Sequence, residues 1–185
     1  MKAFLKTRFK NKVGTALLKR INRMQEMLSE APEVRVGWFK GQRYPNGEQI
    51  ADVAFKQEYG TSGVPGIPSR PFMRVAERNR GGWKQRLSRE IRFEFKKKES
   101  GDISRAFENV GYMVKEDIQI AILSVHEPPL RPYTVRKRAE RLGLTFHDAF
   151  GGNERNSYML TKPLIDTGTM ITSIEVRTSG KNRSR

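Results

Sequence analysis

Glu58-Tyr59-Gly60-Thr61-Ser62-Gly63-Val64-Pro65-Gly66-Ile67-Pro68-Ser69-Arg70-Pro71-Phe72-Met73-Arg74 stops one helix, crosses a loop and starts the longest helix expected in the chain. Three prolines and three glycines make its centre a loop. Gly60 can take the positive φ that ends a helix, and Pro71 suits a first helical turn, where a missing N–H costs nothing. Phe72 and Met73 are then the first apolar residues the long helix buries. A loop braced by proline loses little entropy on docking, which marks it as a surface for contact with a neighbouring subunit.

Upstream of this stretch, Phe9, Val13, Leu17, Ile21, Met24 and Leu28 recur in steps of three and four, so residues 1–31 read as a basic amphipathic helix ending before Pro32. Its lysine and arginine face suits either plain solvation or phosphate contact. Val34, Val36 and Trp38 alternate with Arg35, Gly37 and Phe39, a half-buried strand. Tyr44-Pro45-Asn46-Gly47 signals a turn, and a short helix from Glu48 delivers Tyr59 to the loop.

Downstream, Phe72, Val75, Ala76, Trp83, Leu87, Ile91 and Phe95 keep helical spacing across Gly81-Gly82, which predicts one kinked helix or two abutting ones. Asp102 is placed to cap a core helix whose buried face is Ile103, Phe107, Val110, Val114, Ile118, Ala121 and Val125. Pro128-Pro129 stops it, and a basic helix spans Pro132 to Leu142. Residues 143–161, with Gly151-Gly152-Asn153 inside, read as a mobile loop. The run Ser173 to Arg177 alternates again and should pair antiparallel with the first strand. Two strands alone are marginal, so one or two more are expected, with Lys40 to Tyr44 the candidate. Residues 178–185 read as a disordered basic tail. The fold class is therefore α+β: a small antiparallel sheet packed by a long amphipathic helix and several further helices, with long loops.

At 185 residues the chain is expected to form one domain with one core. With 36% hydrophobic and 30% charged residues it is polar enough to leave some apolar surface for burial on assembly. It has no cysteine, which excludes disulfides and thiolate metal sites and fits synthesis in a reducing cytoplasm. Its longest apolar run, Ile118 to Val125, is too short for a membrane span. The formal charge of +16 points to nucleic acid or an acidic protein surface as a partner. That charge is spread: eight positives precede the first acid, eleven against five acids lie between Arg74 and Arg105, and four against none lie from Arg177 to Arg185. No single stripe with interleaved aromatics suggests sequence-specific recognition.

Asp166-Thr167-Gly168 matches the catalytic triplet of aspartic proteases, chemistry that needs two carboxylates sharing a proton and hence a dimer. Only 17 residues follow Gly168, mostly polar, so the better reading makes Asp166 the cap of a helical turn at Thr169 to Ile171. His126, at a helix end where it would meet carbonyls, and His147 lack partners at metal-site or catalytic spacing, and no phosphate-binding glycine loop is present. No cofactor and no enzyme activity are expected.

Three segments in order, Glu-Tyr-Gly-Thr at 58–61, Ile-Pro-Ser-Arg-Pro-Phe-Met-Arg at 67–74 and Pro-Leu-Ile-Asp-Thr-Gly-Thr-Met at 163–170, resemble the neck and tail-completion (tail terminator) proteins of long-tailed bacteriophages, including lambda-like minor tail protein Z and its relatives. The resemblance implies a structural virion protein at the head-tail junction, made in the host cytoplasm, that completes the tail as a ring and joins it to the neck. Its partners would be copies of itself, typically six, together with the tail tube and head-closure or neck proteins, without a membrane. Two contact faces follow: Tyr59, Gly60, Thr61, Ile67, Pro68, Arg70, Pro71 and Phe72 on the loop, and Leu164, Asp166 and Met170 on the closing segment. Arg131, Arg136, Lys137, Arg138 and Arg141 would face the lumen, where phosphate attraction suits non-specific passage of DNA. The alternative is a basic DNA-binding protein.

Overall fold

The computed structural model describes residues 12–29, 31–97, 103–151 and 153–179. Among them it shows an α+β fold with eight α-helices and one two-stranded antiparallel sheet. In order these are α1 (Lys12–Ser29), β1 (Glu33–Gly37), α2 (Ile50–Tyr59), α3 (Met73–Glu77), α4 (Arg80–Lys96), α5 (Ile103–Ser124), α6 (Pro132–Leu142), α7 (Glu154–Thr161), α8 (Thr169–Thr172) and β2 (Glu175–Ser179), with a 3-10 turn at Phe146–Ala149. None of these helices is long and apolar enough to cross a membrane. The expected cap at Asp102, the helix start at Phe9 and the tail beyond 179 lie outside the described residues.

The antiparallel pairing holds, with Val34 opposite Thr178 and Val36 opposite Val176. Thr178 and Ser179 belong to this ladder instead of to a tail, because their backbone pairs with Val34 and Glu33. No third strand joins among the described residues. Lys40 to Tyr44 instead forms a tight turn whose one bridge is Arg43 to Gln49. So narrow a ribbon needs a cover, and α5 supplies it. Gly111 makes the approach possible: a Cβ there would come within 2.5 Å of Val176 Cγ1 and 2.8 Å of Val34 Cγ1.

The main core joins Ile50 and Ala54 of α2, Phe72, Ala76 of α3, Ile118, Ala121 and Ile122 of α5, and Met170 and Ile174 of the closing segment. Trp38 lies just past β1, its ring edge-on to Phe72 at 5.8 Å and its Nε1 donating to the Met170 carbonyl at 2.7 Å. The long helix is two helices, but the break falls at Arg78-Asn79, ahead of the glycines, which sit in the first turn of α4.

Residues 143–151 and 153–161, expected as a mobile loop, hold regular structure. The 3-10 turn and α7 fold back on α6, and Ala149 and Leu160 bury against Val135 and Ala139 in a second apolar cluster. The described residues thus form two apolar clusters where one core was expected.

Candidate functional site

A groove of about 880 Å³ opens between the two cores. Its walls are the proline loop, the N-terminal side of α6 and the Leu164 to Met170 turn, with Tyr44 and Pro45 at one end. The two segments expected to form different contact faces therefore line one cleft together.

The loop wall is fixed by polar contacts. Gly60 ends α2 at φ +76°, and a side chain there would strike the Ile67 carbonyl oxygen at 2.8 Å and the Ser69 amide nitrogen at 2.9 Å. Thr61 N–H donates to the Ile67 carbonyl and Ile67 N–H to Thr61 Oγ1, each at 2.9 Å. The buried Glu58 carboxylate accepts from Met73 N–H at 2.8 Å, from Arg74 N–H at 3.3 Å and from Arg74 Nε at 3.0 Å. That carboxylate satisfies the amides that open α3, so Phe72 occupies the cap position and Pro71 lies outside the helix. Sequence alone did not single out Glu58, although an acid followed by a loop and a new helix is a readable signal.

The opposite wall is fixed by arginines. Arg131 Nη2 reaches the Gly66 carbonyl at 2.9 Å, tying α6 to the proline loop. Arg138 is buried, donating to the Lys162 carbonyl at 2.8 Å and pairing with Asp166 at 3.2 Å. Arg141 grips both carboxylate oxygens of Asp166, with Nη1 to Oδ2 at 2.8 Å. These guanidiniums, Arg141 foremost, hold the Asp166 carboxyl below the usual carboxylate range, against the opposing effect of partial burial. Asp166 therefore caps nothing: the turn at α8 starts from Gly168 in the left-handed region, and Thr169 N–H donates to Thr167 Oγ1. Its neighbours are two cations, the reverse of a carboxylate pair that shares a proton. Leu164, on the same turn, has φ +63°, a conformation that costs a non-glycine residue about 1–3 kcal/mol and is kept where the surroundings enforce it.

Of the expected contact residues, Ile67, Pro68, Arg70, Leu164, Asp166 and Met170 line the groove. Tyr59 stands outside it, exposed, with its ring 4.7 Å from Phe55 and the Arg74 guanidinium over it, and Thr61 is likewise exposed beside half-buried Gly60 and Pro71. Arg70, Phe72 and Met170 are nevertheless buried, so they support this surface from beneath more than they project from it. Arg70 shows how: Nε and Nη2 donate to the Pro128 and Pro129 carbonyls at 2.9 and 3.1 Å, and Nη1 donates to Gln57. Val64, which sequence reading passed over, is wholly bare at the loop tip.

In the expected lumen-facing row on α6, Arg131, Arg136, Lys137 and Arg141 are exposed, and each has a partner within the chain. Arg138 is buried, Arg131 and Arg141 are engaged as described, Lys137 pairs with Glu140 at 2.9 Å, and Arg136 lies over the Phe146 ring. An open cationic row runs instead along α4, where Lys84, Arg89, Arg92 and Lys96 flank Phe93. His126 meets no helix carbonyl; both its ring nitrogens lie 3.4 Å from Lys162 Nζ. No His, Cys, Asp and Glu cluster among the described residues is arranged to hold a metal. Comparison with family models, curated proteins and solved structures finds no match to this chain.

Proposed function

We propose that the chain is a structural subunit of a bacteriophage head-tail junction, completing the tail as a ring that joins it to the neck. The observation that carries the reading is the convergence of the proline loop and the Leu164 to Met170 turn on one groove. Both segments belong to the motifs that resemble tail-completion proteins. The groove's walls are pre-set by Arg131, Arg138 and Arg141, so an incoming segment of a neighbour meets a shaped surface and little ordering entropy is lost. The bare Val64 tip beside it is the matching kind of element, a projection without an internal partner.

DNA enters this reading through α4. Lys84, Arg89, Arg92 and Lys96 form a phosphate-attracting row with no base-reading pattern, which suits a lumen through which duplex passes. The same row supports the second reading, a stand-alone basic DNA-binding protein.

Mass measurement across concentration at two salt levels, with negative-stain images, tests the choice. Rings that form as concentration rises, with weak and salt-sensitive DNA binding, support the structural role. A protein that stays monomeric throughout and gives a saturable duplex complex overturns it.

A further inference from the structure

Helix α1 carries Leu17, Ile21, Met24 and Leu28 on one face, yet Leu17, Ile21 and Leu28 are 48%, 41% and 49% exposed. Helix α5 buries one face on the sheet and one flank on α4, but its outer face leaves Tyr112, Ile120 and Leu123 at 55%, 55% and 45% exposure. Each stripe covers three helical turns, about 16 Å at 1.5 Å per residue. Their flanking charges differ: bases border the α1 stripe, whereas the acids Glu108 and Glu116 and the bases Arg105 and Lys115 alternate along that side of α5. Arg20 adjoins the α1 stripe, and Lys19 and Arg23 lie on the same helix. Glu108 and Glu116 adjoin the α5 stripe, and neither has an ion-pair or hydrogen-bond partner among the described residues. The contrast with the α4-facing flank is direct: there Asn109 donates to Glu90 at 2.8 Å, and Asp117 accepts from Asn79 and Trp83.

We infer that α1 of one copy docks along the outer face of α5 in the next copy, as the contact that propagates the ring. This rests on the proposed assembly of copies and names the two surfaces that make it. Both stripes are exposed on the same chain, so they do not satisfy each other internally. Two acids without partners in a chain of formal charge +16 select a basic partner, and α1 supplies a basic helix with an apolar face of equal length. The contact uses two different patches, so it is heterologous, and each subunit offers one donor and one acceptor surface.

Charge reversal tests this without touching either core. Glu108→Lys with Glu116→Lys makes the acceptor basic, while Arg20→Glu with Gln25→Glu, an exposed α1 residue one turn past Ile21, makes the donor's flanks acidic. Each double variant alone sets like charges against each other and should need about tenfold or more protein for half-assembly. An equimolar mixture places acidic α1 on basic α5 and basic α1 on acidic α5 in alternation, so it should recover assembly, in rings of even number. Circular dichroism checks that both variants are folded. Wild-type protein that assembles while both variants assemble unchanged, or a mixture that is not rescued, overturns this contact and leaves the structural role standing. Wild-type protein that never assembles overturns both.

Discussion

Residues 60–71 and residues 143–161 carry similar punctuation in the sequence, glycines and polar residues between helices, and they fold by different means. The first is a loop held by hydrogen bonds: Arg70 N–H to the Gln57 carbonyl at 2.7 Å, Ser69 Oγ to the Glu58 carbonyl at 2.7 Å, and Arg131 from across the groove. The second is a helical lobe held by burial of Ala149 and Leu160 against α6. A proline-rich segment starts with restricted backbone entropy, so a few polar ties are enough to fix it. A segment without proline must bury apolar surface to offset its larger ordering cost.

The largest effect that sharpens this contrast belongs to Phe72, which anchors the exit of the loop in the main core with no exposed surface. Phe72→Ala should cost about 3–5 kcal/mol and loosen loop and sheet together, read by denaturant unfolding followed at Trp38 and by amide exchange at Thr61 and Ile67. Leu160→Ala, equally buried, should cost about 2–4 kcal/mol, with exchange rising first in α6 and α7. If both substitutions loosened the whole chain equally, the two cores would be a single cooperative unit and the contrast would fail. Glu58→Gln comes next, at about 1–3 kcal/mol, because a neutral amide cannot accept at both oxygens from Met73, Arg74 and the Arg74 side chain. Gly111→Ala should cost roughly 1 kcal/mol: crowding against Val34 and Val176 opposes the gain in helix propensity.

Much of this was legible in residue spacing. Val34 and Val36 announced β1, the steps from Ile103 to Val125 announced α5, and Pro132 at the first turn with Gly143 after the last set the ends of α6. What escaped was carried by short signals or by tertiary contacts. The lobe at 146–161 has a capping box of Thr145 with Asp148, and Asn153 caps α7, but an eight-residue helix with Tyr158, Met159 and Leu160 in a row shows no periodicity. The charged row on α6 looked like a lumen-facing, phosphate-attracting surface, because sequence does not reveal that Asp166 folds back onto Arg138 and Arg141. The groove was equally hidden: its walls lie about a hundred residues apart, and only the fold sets Ile67 opposite Leu164.

The smallest effect, and the one that separates charge from shape at the groove, is that of Asp166→Asn. The carboxylate is 40% exposed, so solvent screening limits its two ion pairs to about 1 kcal/mol at neutral pH. Its folded pKa lies below the unfolded one. The stabilisation is therefore fully present above the ordinary carboxylate value near 4 and disappears as pH falls through the lower folded value. Wild type and variant should differ in unfolding free energy at pH 7 and converge once the folded carboxyl is protonated in acid, while the loop, held by Arg131 and Gly60, keeps its exchange protection in both. A difference that persisted unchanged into acid would mean that Asp166 acts through the shape of its turn and not through its charge. In that case the strained Leu164 beside it would be what holds this wall of the groove in place.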